Sequence, residues 1–155
     1  MQIGIFAKTF PVTGAAAVFS AVRAAGYTTT QFNLACLGGP AMPDEIDPAL
    51  CAQVRLAAQT HGVSIAAVSG TYNMAHPDPA VRSRGLGRLG ALIASAHAMG
   101  TRMVSLCTGS RDADDQWRHH PDNATPEAWA VMRTQIGQAL LRDDDLDIMF
   151  RVIGM

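Results

Sequence analysis

Lysine is nearly missing from this 155-residue sequence: Lys8 stands alone, and the rest of the twelve basic residues are arginine. Thirteen acidic residues bring the formal net charge to −1, so no basic surplus exists to meet a nucleic-acid backbone or an anionic membrane surface. Cysteine is sparse and odd in number: Cys36, Cys51 and Cys107, with no C-x-x-C spacing. That excludes a disulfide framework and a zinc-ribbon motif, and leaves a reduced, cytoplasmic chain as the expectation. Long apolar runs are absent too. No stretch approaches the roughly 20 apolar residues of a membrane helix, and Met1 to Ile5 lacks the basic start and apolar core of a signal peptide. The expected partners are therefore small molecules, not nucleic acid and not a membrane.

What remains is 48% hydrophobic and 16% charged residues, enough for one globular domain with a real core. Strand-like and helix-like stretches alternate along it. Ile3 to Ala7 reads as a first strand ending at Lys8. A helix follows from about Gly14, with Val18, Phe19, Val22 and Ala25 on one face and Gly26 as its stop. Tyr27 to Leu34 reads as a second strand, with Gln31 and Asn33 on the face opposite Phe32 and Leu34. Asp47-Pro48 caps a second helix whose inward residues are Leu50, Val54 and Ala57, and which stops at Gly62. Val63 to Val68 is the third strand. Asp78-Pro79 opens a third helix with the apolar stripe Leu86, Leu89, Ile93 and Ala96, closed by Gly100.

The fourth unit is the most informative. Met103 to Cys107 forms a short strand that ends in Thr108-Gly109-Ser110. A long polar loop then carries Arg111, Asp112, Trp117, His119, His120 and Asn123 before Thr125-Pro126-Glu127 starts a fourth helix, with Trp129, Met132, Ile136 and Leu140 at helical spacing. Loops beyond about 12 residues are uncommon unless they carry function or are disordered. The helix-ending glycines 26, 62 and 100 are separated by 36 and 38 residues, a repeat of units too small to bury their own faces. Alternating strands and helices predict a parallel sheet joined by right-handed crossovers, with polar residues gathered beyond the strand ends. After residue 141 the pattern breaks: an aspartate run leads into residues 146–153, which could still pair as a short fifth strand.

Three stretches carry a family likeness: Gly26 to Asn33, Val68 to Met74, and Cys107 to Asp112 together with Trp117 and His120 to Asn123. Over residues 1–141 the chain resembles the N-terminal half of a sugar phosphate isomerase/epimerase of the xylose isomerase-like (β/α)8 barrel group. The fold expected is thus α/β, a partial TIM barrel of about four βα units with helices outside. Residues 142–155 do not match and are expected to mark a truncation or a frame shift. The resemblance implies metal-assisted proton transfer beside a carbonyl, using a divalent ion (Mn, Mg, Co or Zn) in full-length relatives. It assigns the ion's ligands and the acid/base groups to strands 5 to 8, so no catalytic or metal residue, and no cofactor, is expected in this chain. It does imply a substrate rim for a sugar or sugar phosphate: Phe6, Lys8, Gly70, Tyr72, Leu106 and Thr108, with Trp117, His120 and Asn123 in a covering loop. By itself the chain is expected to be inactive, at most a binding or self-associating module. The nuclease branch of the superfamily would place histidines after strands 3 and 4, where Ser69-Gly70 and Cys107-Thr108 stand.

Other motifs take blander readings. Gly85-Leu86-Gly87-Arg88-Leu89-Gly90 spells the dinucleotide fingerprint G-x-G-x-x-G, yet it falls inside the third helix and not at a strand-to-helix turn. The glycines there are expected to serve close packing. His119 and His120 with the loop aspartates read as a solvated lid, and Cys107 as a buried inert thiol. A half barrel should leave one sheet face and both edges bare, an apolar surface larger than a soluble monomer tolerates. A homodimer through the exposed edges is the expected remedy. An open sheet with helices on both faces is the alternative.

Overall fold

Helix starts show how closely local chemistry sets this architecture. Asp47 accepts a hydrogen bond from the Ala49 amide (2.8 Å), Asp78 from Ala80 (2.8 Å) and Thr125 from Ala128 (3.2 Å). Each cap precedes a proline at the first helical position, where no amide hydrogen is needed. The helices they open are Pro48–Thr60 (α2), Pro79–Met99 (α3) and Pro126–Leu140 (α4), while Ala15–Ala24 (α1) starts after Gly14 without a side-chain cap. Past the ends of α1, α2 and α3, Gly26, Gly62 and Gly100 adopt φ values of 89°, 63° and 95°, the left-handed region that lets the chain turn sharply into the next strand.

The computed structural model describes residues 2–141 and the backbone of residues 147–151. Its strands are Ile5–Phe6 (β1), Thr29–Phe32 (β2), Ser64–Ser69 (β3), Met103–Cys107 (β4) and Asp147–Arg151 (β5). They form one sheet in the order β1-β2-β3-β4-β5, every pair parallel. Successive helices pack on one another, α1 on α2, α2 on α3 and α3 on α4, so they lie side by side along one face. That is the half-barrel arrangement, and the open sheet covered on both faces is not what forms. The fifth strand expected within residues 146–153 is present as β5. Residues 142–146 and 152–155, the rest of the expected tail, lie outside the described residues.

Between helices and sheet lies the core. Phe19 of α1 and Phe32 of β2 are fully buried and stacked, ring centroids 5.3 Å apart and planes 15° from parallel. Truncating either to alanine would cost about 3–5 kcal/mol. Val54, Val68, Leu89, Ile93 and Val104 extend this layer with almost no exposure. The apolar stripe expected on α3 is buried as expected. Other faces shift by a residue. Ala25 is exposed, and α2 buries Cys51, Val54 and Ala58, with Leu50 and Ala57 only flanking them. Helix α4 buries Ala128, Met132, Gln135 and Ala139, whereas Trp129 and Leu140 are 44% and 50% exposed. The first strand is also shorter than expected, because Ala7–Thr9 curls into a 3-10 turn.

The inner face of the sheet is mixed. Register pairs Phe6 with Gln31, Gln31 with Ala67 and Ser69 with Ser105, so one aromatic ring joins small and polar side chains on what would be the barrel interior. Bulky branched residues usually fill that space. Here the Gln31 amide donates to Ser105 Oγ across β3 at 2.6 Å, and the small side chain of Ala67 leaves it room.

The glycines of the G-x-G-x-x-G stretch lie within α3, as packing glycines would. A Cβ on Gly85 would stand 2.2 Å from Tyr72 Cδ2, whereas one on Gly87 would meet open space. Gly85→Ala should destabilise the fold by about 1–3 kcal/mol through overpacking, and Gly87→Ala should stabilise it by up to about 1 kcal/mol through helix propensity. Urea denaturation of the two variants beside the wild type checks both signs.

Candidate functional site

Parallel strands all end on one side, and there the structure opens a cavity of about 370 Å³. Each strand delivers side chains to it. Phe6 and Lys8 come from the end of β1, Gln31 and Asn33 from β2, Ser69 and Thr71 from β3, and Ser105, Leu106 and Cys107 from β4. Ala41 from the loop after β2, and Gln116 and Trp117 from the loop after β4, close its mouth. A larger hollow of about 590 Å³ lies at the opposite end of the sheet, around Arg55 and His97. It sits where α2 and α3 finish, so the Arg55 side chain, beside Gly100, faces a helix C-terminus whose dipole favours its charge, a structural role.

The loop after β4 is held by its own side chains and by Asn73 from the loop after β3. Asn123, 9% exposed, accepts hydrogen bonds from the Arg111 amide (2.7 Å) and Ser110 Oγ (3.2 Å). Asn73 accepts from the Ser110 amide (2.9 Å) and donates to the Asp112 carbonyl (3.2 Å). Gly109, at φ 73°, passes so close that a Cβ would sit 2.2 Å from Asn73 Oδ1, so only glycine fits. Asp112 accepts from the Asp115 and Asp114 amides, both at 2.9 Å, and pairs with Arg118 at 3.1 Å. Those amides, with Arg118 beside them, hold its carboxyl below the ordinary carboxylate range. The aspartates of this loop thus serve its own turns, and the result is a fixed shelf carrying Trp117, which is 53% exposed at the cavity mouth.

Of the rim expected from sequence, Phe6, Lys8, Leu106 and Trp117 line the cavity. The others lie elsewhere. Gly70 packs toward the helices, where a Cβ would come within 2.8 Å of Leu89 Cδ1. Tyr72 turns outward and donates from its hydroxyl to Gln135 Oε1 at 3.1 Å. Thr108 and Asn123 flank a separate recess of about 20 Å³ under the loop, next to Trp129 and Met132. His120 accepts the Asp122 amide through Nδ1 at 3.2 Å and caps a 3-10 turn. Ser69, Thr71, Ser105 and Gln116 are cavity residues that sequence reasoning passed over. For Ser69 and Ser105 a signal existed, since each is the polar member of an otherwise apolar strand end.

A family model for the xylose isomerase-like TIM barrel matches residues 19–154. The chain belongs to that family. The match continues past residue 141, through β5. Solved barrels of the same shape include a D-psicose 3-epimerase with D-tagatose from Clostridium cellulolyticum H10, at TM-score 0.68 and 12% identity, covering 96% of this chain and 51% of the epimerase. A D-allulose 3-epimerase from Methylomonas sp. superposes at TM-score 0.67 and 18% identity, over 97% of this chain and 51% of that one. The 3-keto-D-glucoside 4-epimerase of E. coli gives 0.67 and 12%, over 97% and 55%. At these identities the likeness is one of fold. The chain spans about half the length of these barrels. No curated protein matches it in sequence. Among the described residues no helix is long and apolar enough to cross a membrane.

Chemically, the cavity offers amides, hydroxyls, one ammonium and an aromatic wall, a set that hydrogen-bonds a polyhydroxylated ligand and stacks on its carbon face. Burial pushes the Cys107 thiol up to about 11, so it stays protonated at neutral pH and is no nucleophile. Because its folded value lies above the ordinary 9.0, the unfolded chain releases this proton first as pH rises. Its contribution to stability is intact below about pH 9 and is lost between there and about pH 11. Cys36 and Cys51 are raised by burial as well and add to the same fall. Urea midpoints measured from pH 8 to 11 should drop in the wild type and drop less in Cys107→Ala.

Proposed function

We propose that this chain supplies a substrate-binding half of a sugar isomerase or epimerase and grips a ketose by its hydroxyls. The observation supporting this reading is the ring of Lys8, Gln31, Asn33, Ser69 and Ser105 around one cavity at the strand ends, with Trp117 at its mouth. The family resemblance implies proton transfer beside a carbonyl, aided by a divalent ion. Such ions take carboxylate and imidazole donors. The described lining contains neither, and among the described residues no three His, Cys, Asp or Glu side chains gather to hold a metal. The residues present do not fit that ion. In this proposal they bind and orient sugar, and the 155 residues alone give no turnover. An abasic-site nuclease would need imidazoles where Ser69-Gly70 and Cys107-Thr108 stand. The three free cysteines suit a reducing, cytoplasmic setting.

The direct test is D-fructose titrated into Trp129→Phe protein while Trp117 fluorescence is followed. Saturable change is expected, and Gln31→Ala should weaken it about tenfold, roughly 1.4 kcal/mol. A flat titration would sink the reading. Incubation with manganese or cobalt and a ketose panel should leave every sugar unconverted.

Pairing of two copies is a second element of the proposal. Strand β1 offers only two paired residues and β5 lies at the other edge, so association would use unsatisfied strand edges more than an apolar face. Sedimentation equilibrium should show a dimer, and a monomer at all concentrations would remove this element.

A further inference from the structure

We infer that the groove beside the sugar cavity is a second subsite, built to take an oxyanion substituent of the same ligand. The inference rests on the sugar-binding reading and extends it. A hollow of about 380 Å³ runs between the loop after β2 and the first turns of α3. Ala41 and Thr71 line both this hollow and the sugar cavity, so the two share a wall. The Ser69 hydroxyl of the sugar cavity lies 3.2 Å from that of Thr71, which fixes the shared wall.

The charge in this groove is one-sided. Arg84 and Arg88 both line it, one helical turn apart on α3, a like-charge spacing that disfavours the helix itself. Asp44 occupies only one of them, accepting from Arg88 Nε at 2.8 Å and Nη2 at 3.3 Å. Arg84 makes no ion pair or side-chain hydrogen bond among the described residues. Met42, Val81 and Tyr72 give the groove a hydrocarbon side, beside Thr71 and Asn73. Gly85 lets the Tyr72 ring lie against the helix, and its hydroxyl is directed away to Gln135. A hydrocarbon surface ending in a vacant guanidinium fits a carbon chain ending in phosphate or carboxylate, since the planar fork pairs with two oxygens at once. A neutral sugar would leave that fork idle.

Binding of D-fructose, D-fructose 6-phosphate and D-fructuronate to the same 155-residue protein tests this, read by calorimetry. At least one anionic ligand should bind about tenfold more tightly than D-fructose, and which one does so identifies the oxyanion. Arg84→Gln should erase that advantage while leaving D-fructose affinity unchanged, and Arg84→Lys should restore part of it. Equal affinities for all three, or an advantage that survives Arg84→Gln, would overturn the subsite and leave the sugar cavity standing. Failure of all three ligands to bind would overturn both.

Discussion

Two strands that run the same way cannot be joined by a tight turn, because the chain must first return the full length of the strand. In this protein α1, α2, α3 and α4 make those returns, always on the same face of the sheet. The consequence is spatial sorting. Apolar residues of the helices and of the outward strand positions meet in one layer around Phe19 and Phe32. Whatever follows each strand is delivered to one end. Lys8, Asn33, Thr71 and Gln116 are far apart in sequence, yet they border one cavity because four strands point there.

That sorting explains which features could be read from the amino acids alone. Helix starts were legible because an Asp-Pro or Thr-Pro pair has one favourable use, a cap followed by a residue without an amide hydrogen. The glycine spacing of the repeat was legible because left-handed backbone excludes most side chains. The parallel sheet and the inward face of Gln31 and Asn33 follow from those signals and from strand alternation, while the family showed only in the likeness of three stretches, Gly26 to Asn33, Val68 to Met74 and Cys107 to Asp112.

The remainder depends on contacts distant in sequence. In α4 two neighbouring stripes are both mainly apolar, and spacing cannot choose between them. The choice falls on Ala128, Met132, Gln135 and Ala139 because Gln135 meets the hydroxyl of Tyr72, 63 positions away. The same contact removes Tyr72 from the cavity. Residues beyond a strand end have no periodicity to give their direction, so Asn123 and His120, polar and in the right loop, turn out to build that loop. The polar inner face was legible in part. Alternation exposes Gln31 and Asn33, and Ser69 and Ser105 are polar at apolar strand ends, but only register sets those two side by side.

Register also slips once. Thr30 pairs with Ile65 and Gln31 with Ala67, which leaves Ala66 opposite no residue of β2. Its carbonyl is taken instead by Thr101 Oγ1 at 3.0 Å. Such a bulge reverses the alternation of side chains downstream of it. Ile65 therefore serves the core and Ala67, two residues later, the inner face. Past the slip Val68 still faces the core, while Ala67 and Ser69 face inward, so one short strand serves both layers. The core position and the inner-face position stand only two residues apart, so a substitution at either reaches the other through their shared backbone. A strand jointed in this way ties the width of the cavity to the packing beneath it.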